Sequence, residues 1–259
     1  MTAAGGRRVV AGVPSDDYPP ERAGPLRVFF HGSDGPLPAL LLLLTTVTGL
    51  VDSVSYFVLG KVFVANMAGN LIFVGFGLSA VGPAVAPSAI AIGAFLVGCV
   101  TGGRAVQSLA HHRGRLLCGS ATVVAALVVV AVALLWGVEE NSVPSARRWG
   151  AIVALACGMG FQAALTRQVN LKDMRTIVAT LTFTAVAADS KLAGGRGRGV
   201  GSGVASVLTV VFGAFCGGLL LRVGDVRAPL LLAIALLLIA AAGVAVLSKN
   251  EADWQRPHK

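Results

Sequence analysis

The sequence predicts an all-α membrane protein with six full transmembrane helices, two short or broken hydrophobic segments, and two internal repeats of inverted topology. Three observations predict it. The chain is 55% hydrophobic and only 13% charged, whereas soluble domains carry about 25% charged residues. Several apolar runs reach the roughly 20 residues that span a bilayer. The order of segments in residues 37–137 recurs in residues 149–247. Only helices and closed barrels satisfy the backbone in lipid. Long Ala/Val/Leu runs without two-residue alternation select helices.

Residues 1–36 are rich in Gly, Pro, Arg and Asp and read as a disordered cytoplasmic tail. They lack the apolar centre of a signal peptide. The polytopic membrane domain fills 37–247, and 248–259 form a polar C-terminal tail. Within the domain the hydrophobic segments are 37–59, 65–82, 86–104, 116–137, 149–166, 176–188, 200–221 and 228–247. The sixth is short: it lies between Arg175 and Asp189, too few residues to cross a core of about 30 Å. The second is borderline and bounded by Pro83 and Pro87. These two occupy matching places in the repeats, the known pointer to broken helices near the midplane of a transporter.

Charge selects the topology. If segments two and six do not cross and the N-terminus is cytoplasmic, five of the 21 Lys and Arg lie outside: Lys61, Arg147, Arg148, Arg222 and Arg227. The other sixteen lie inside. If all eight segments cross, the division is twelve to nine. The positive-inside rule therefore favours six spans and both termini in the cytoplasm. Three spans per half make the repeats inverted. The net charge of +9 fits basic loops beside anionic lipid rather than nucleic acid.

Polar residues inside apolar segments are the candidate substrate path. "VANMAGN" (64–70) aligns with "VATLTFT" (178–184), so Asn66 falls on Thr180 and Asn70 on Thr184. Each pair is i, i+4 and is expected on one helix face. Such a face lines a polar path, or simply joins helices by hydrogen bonds. Gly69, just before Asn70, is where the backbone is expected to open toward a solute. Asp52, in "TGLVDSVSYF", is the one acid well inside a spanning segment, and Gln162 takes a comparable place in the second half. An intramembrane carboxylate is costly and is a functional candidate by default. The alternatives are burial as a neutral acid or a place near the outer interface.

A second correspondence pairs "GCVTGG" (98–103) with "GAFCGG" (213–218). Gly98 with Gly102, and Gly213 with Gly217, have the small-xxx-small spacing that lets helices approach closely. They make 86–104 and 200–221 the expected close-packed pair. The four cysteines all lie in apolar segments without metal spacing. P-loop, GxSxG and HExxH signatures are absent, so neither an enzyme, a metal nor a cofactor is expected.

The stretches "TGLVDSVSYFVLGKVFVANMAGN" and "GFQAAL…VATLTFTAVAADSKLAGG" resemble the YoaK family, a bacterial group of multi-pass membrane proteins of unknown function. The resemblance covers roughly residues 37–247. It implies the membrane class and adds no substrate. The family commonly has Thr-Gly-Asn where this chain has Ala68-Gly69-Asn70.

The expected function is translocation of a small solute or ion across a bacterial inner membrane. The alternative is a non-transporting assembly or sensor protein. Expected partners are the lipid bilayer, an unidentified small solute or ion and, as a homo-oligomer, further copies of the chain.

Overall fold

The structure is a computed structural model that describes residues 37–109, 113–137, 143–169, 184, 187 and 200–247. Seven helices are described: α1 (Leu37–Phe57), α2 (Met67–Leu78), α3 (Val85–Leu109), α4 (Arg113–Leu134), α5 (Ser145–Val169), α6 (Val200–Val223) and α7 (Ala228–Leu247). Five of them, α1, α3, α5, α6 and α7, are long and apolar enough to cross a membrane. The apolar part of α4 is shorter, Cys118–Leu134. Of the expected segment 176–188 only Thr184 and Ala187 are described, both helical and exposed. Thr180 lies outside the described residues.

α1 lies at the centre. Val47, Leu50, Val51 and Val54 are wholly buried, because α6, α7 and the chain returning from α1 cover successive faces of this helix. α3 packs along α5, and α1 along α6. α4 packs on both α5 and α7, α7 also packs on α1, and α2 rests on α3. The outer surfaces are apolar too: Leu96 and Val100 on α3, Phe212 and Phe215 on α6, and Leu238 and Ile239 on α7 are exposed. In water such a surface would aggregate. In lipid it is solvated, and van der Waals fit rather than water exclusion holds the helices together.

Glycines set that fit. Gly98 on α3 lies against the Cys157 carbonyl, and Gly102 against Phe161 and Ala164, all on α5. Gly160 on α5 lies in turn against Phe95 and Cys99. On the other side, Gly213 on α6 lies against Thr46, and Gly217 against Leu50 and Ser53 of α1. Gly49 on α1 lies against Val210 and Ala214. A Cβ at any of these six sites would overlap neighbouring atoms, chiefly backbone. The expected pairing of 86–104 with 200–221 is corrected here. The two glycine-bearing helices do not form a close pair with each other. Each closes on the first helix of the opposite half, where Gly49 and Gly160 supply the matching recess.

Candidate functional site

The site begins where α1 ends. Gly60 and Lys61 take positive φ, +103° and +57°, and the Lys61 N–H donates to the Tyr56 carbonyl at 3.0 Å. This is a Schellman-type stop, with glycine at the left-handed position. The chain then turns back along α1. Val58, Leu59, Val62 and Val64 are buried against it. Phe63 stacks between the rings of Tyr56 and Phe73, with centroids 5.3 and 5.7 Å away.

Two side chains hold this returning segment. Asp52 Oδ1 accepts the N–H of Val64 and of Ala65, both at 2.9 Å. Asn70, fully buried on α2, accepts the Phe63 N–H at 2.9 Å and donates its amide to the Phe63 carbonyl. A non-helical segment has no helical partners for its N–H groups, and in an apolar setting each must be paired. The carboxyl and the amide answer that need.

The structure separates the two asparagines. Asn66 is the residue before α2, is exposed, and makes no side-chain cap bond. The shared helix face expected for Asn66 and Asn70 is therefore absent, because the helix begins only at Met67. Gly69 does not open toward a solute. The Phe63 ring lies over it, 2.8 Å from where a Cβ would sit.

Ala65 brings the returning segment to a cavity of about 90 Å³ inside the bundle. Its polar lining is Thr45 and Thr48 of α1 and Gln162 and Thr166 of α5, with Phe95, Met159 and Val210 among its apolar walls. Thr45 and Thr48 lie near the midpoint of α1, so the cavity sits about halfway along the helix. The 12-residue α2 starts beside it and is about 18 Å long, a half-span. Ser79 and Ala80 then end α2, Ala80 at φ +58°, and α3 starts at Val85.

Gln162 is 6% exposed and donates Nε2 to the Leu44 carbonyl at 3.3 Å. Its Oε1 is buried without a hydrogen-bond partner among the described residues. The amide orientation is set by Leu44, whose carbonyl can only accept. Thr45, Thr48 and Thr166 donate their hydroxyls to carbonyls of their own helices, Leu41 at 2.8 Å, Leu44 at 3.1 Å and Gln162 at 2.9 Å. The three threonines were not singled out by sequence. Thr45 and Thr48 at i, i+3, and Thr166 four residues after Gln162, were the available signal.

A separate polar cluster closes one end of the bundle. Asp225 and Arg227 form an ion pair, and the Arg227 guanidinium lies 4.7 Å over the Trp136 ring. Arg147 donates to the Trp136 carbonyl at 3.2 Å. Hydrogen bonds from Arg227 hold the Asp225 carboxyl below its usual range, though solvent screens this exposed pair. A tryptophan with arginines at a helix end is the usual furnishing of a membrane interface.

Fold and site together define a class: a helical membrane protein with a small, partly polar cavity between α1 and α5. The chain belongs to the family described as "Protein of unknown function (DUF1275)", which matches residues 40–243. Comparison with curated proteins and with solved structures gives no match.

Proposed function

We propose that this protein moves a small solute or ion across a bacterial inner membrane by alternating access between two inverted repeats. The observation that carries the reading is the cavity halfway along α1. It combines an unpaired buried amide oxygen with a non-helical segment that reaches it. Irregular backbone at membrane depth is tolerated where it is buried in protein or lines a cavity. Transporters place their sites at such broken segments.

The packing supports the repeat. Under the correspondence of Gly98 with Gly213, Phe95 falls on Val210 and Cys99 on Ala214. Those are the residues that Gly160 and Gly49 meet. Under the separate correspondence of Gly160 with Gly49, Cys157, Phe161 and Ala164 fall on Thr46, Leu50 and Ser53, the residues met by Gly98 with Gly102 and by Gly213 with Gly217. Exchanging the halves also turns the α3–α5 pairing into α6–α1, and α4–α5 into α7–α1. In this reading α4 is the sixth span and residues 58–84 form a re-entrant hairpin. Both termini face the cytoplasm, and the Trp136 cluster marks the outer face. The motif resemblance to the YoaK family agrees with this membrane class.

Gln162 is the path residue that faces the cavity. Asp52 and Asn70 shape the path by holding the returning segment in place. No enzymatic step, metal or cofactor is part of the proposal. One observation favours the alternative, a non-transporting assembly or sensor protein: Asp52 and Asn70 spend their bonds on backbone. Proteoliposomes decide between them. Uptake of a solute or ion from a screened panel, lost in Gln162→Leu, supports transport. A chain that is well folded in liposomes and moves none of the panel supports the alternative.

A further inference from the structure

We infer that the cavity between α1 and α5 is a binding site for a small monovalent cation, an alkali-metal ion or ammonium. The inference rests on the transport reading for its physiological use and names the ion class of that same site. The hydrogen-bonding capacity of the lining selects the guest. A threonine hydroxyl has one proton and two lone pairs. Thr45, Thr48 and Thr166 each spend that proton on a carbonyl of their own helix. What each still offers is an oxygen lone pair. Gln162 spends one amide hydrogen on the Leu44 carbonyl and leaves Oε1 unpaired. The N–H of Ala65, the residue of the returning segment that lines the cavity, is taken by Asp52. Among the described residues four side-chain oxygens can therefore accept, against one remaining amide hydrogen.

Such a lining prefers a guest that carries positive charge or several donors. Among the described residues no Lys, Arg or His lines the cavity, so an anion finds no counter-charge there. The positive end of the α2 dipole begins one residue beyond Ala65 and would favour an anion. The Asp52 carboxyl, bonded to the two peptide groups just before that end, opposes it. No carboxylate among the described residues lines the cavity either. Divalent cations demand carboxylate oxygens, whereas neutral oxygens suit monovalent ones. A volume of about 90 Å³ holds such an ion with one or two waters.

The test uses the full chain in lipid nanodiscs. Thermal unfolding is followed while NaCl, KCl or NH4Cl replaces choline chloride at constant ionic strength. The expected result is a saturable rise in Tm with at least one of the three, and none on replacement by further choline. The three salts separate alkali-metal from ammonium recognition. Gln162→Leu should weaken the apparent affinity by about tenfold or more, the loss of one hydrogen bond or ligand to a charge. Gln162→Glu keeps the oxygen and adds charge, so it should bind more tightly than the native chain. A Tm indifferent to all three cations, or a rise that survives unchanged in Gln162→Leu, overturns the site. Cation-dependent stabilisation without any flux would instead refute the transport reading and leave the site standing. Flux indifferent to cations and to Gln162→Leu would refute the site and leave transport standing.

Discussion

Asp52 on α1 and Asn70 on α2 between them accept three consecutive backbone N–H groups, those of Phe63, Val64 and Ala65. The two side chains belong to different helices, and the segment they share is the one that enters the bundle. Its position relative to the cavity thus depends on a carboxyl and an amide rather than on secondary structure. Sheet or helix partners would have fixed the segment in a regular path. Side-chain acceptors allow it to run beside α1 without helix or sheet partners and still have these three N–H groups bonded.

Removing the carboxyl should loosen this clamp. Asp52→Ala leaves the Val64 and Ala65 N–H groups without their acceptor, at a cost of about 2–4 kcal/mol. Asp52→Asn keeps an oxygen in the same place and should stay within about 1 kcal/mol of the native chain. Reversible unfolding in mixed micelles measures both. Equal losses in the two variants would mean that charge, and not the acceptor, holds the segment.

Asn70 is used as donor and acceptor at once, so Asn70→Asp should not substitute for it. The carboxylate would face the Phe63 carbonyl, which can only accept. A loss of about 2–3 kcal/mol is expected, together with faster hydrogen exchange at Phe63, Val64 and Ala65 in nanodiscs. Native exchange rates there would show that Asn70 is dispensable for the returning segment.

The six recessed glycines should be equally intolerant in both halves. Gly49→Ala and Gly160→Ala each push a methyl into backbone of the facing helix and should cost about 1–3 kcal/mol or more. Gly103→Ala and Gly218→Ala meet nothing within 4 Å and should be neutral, or slightly stabilising through helix propensity. Thermal stability of the four variants side by side checks this. Tolerance at Gly49 with intolerance at Gly160 would break the proposed equivalence of the halves.

Gln162→Leu is expected to separate stability from activity. It removes a buried oxygen that has no partner among the described residues and a long bond to the Leu44 carbonyl, which keeps the Thr48 hydroxyl as donor, so stability should be unchanged or higher, by up to about 1 kcal/mol. Transport should fall, as expected when a site residue is kept at the expense of packing. A large drop in Tm would identify Gln162 as a structural tie between α5 and α1 instead.

Orientation is testable by labelling in a variant lacking the four native cysteines. A cysteine introduced at Ser142 should react with an impermeant reagent applied outside intact cells, and one at Gly114 should not. The opposite pattern reverses the assigned topology.

Composition and run length by themselves pointed to a chain of membrane helices, because only helices and closed barrels satisfy the backbone in lipid and these apolar runs lack the alternation of barrel strands. They also located the short segment at α2, since length is counted along the chain, and they picked out Asp52, Asn70 and Gln162 as polar groups that need a reason to be buried. The use of those groups was decided only in three dimensions. Asp52 meets residues 12 and 13 positions further on, and Gln162 meets a carbonyl 118 positions away. No periodicity encodes separations of that kind. The same holds for Gly98 and Gly213: their spacing announces close approach, but which helix comes close depends on where a second glycine opens a recess. Only the folded bundle brings Gly160 and Gly49 opposite them.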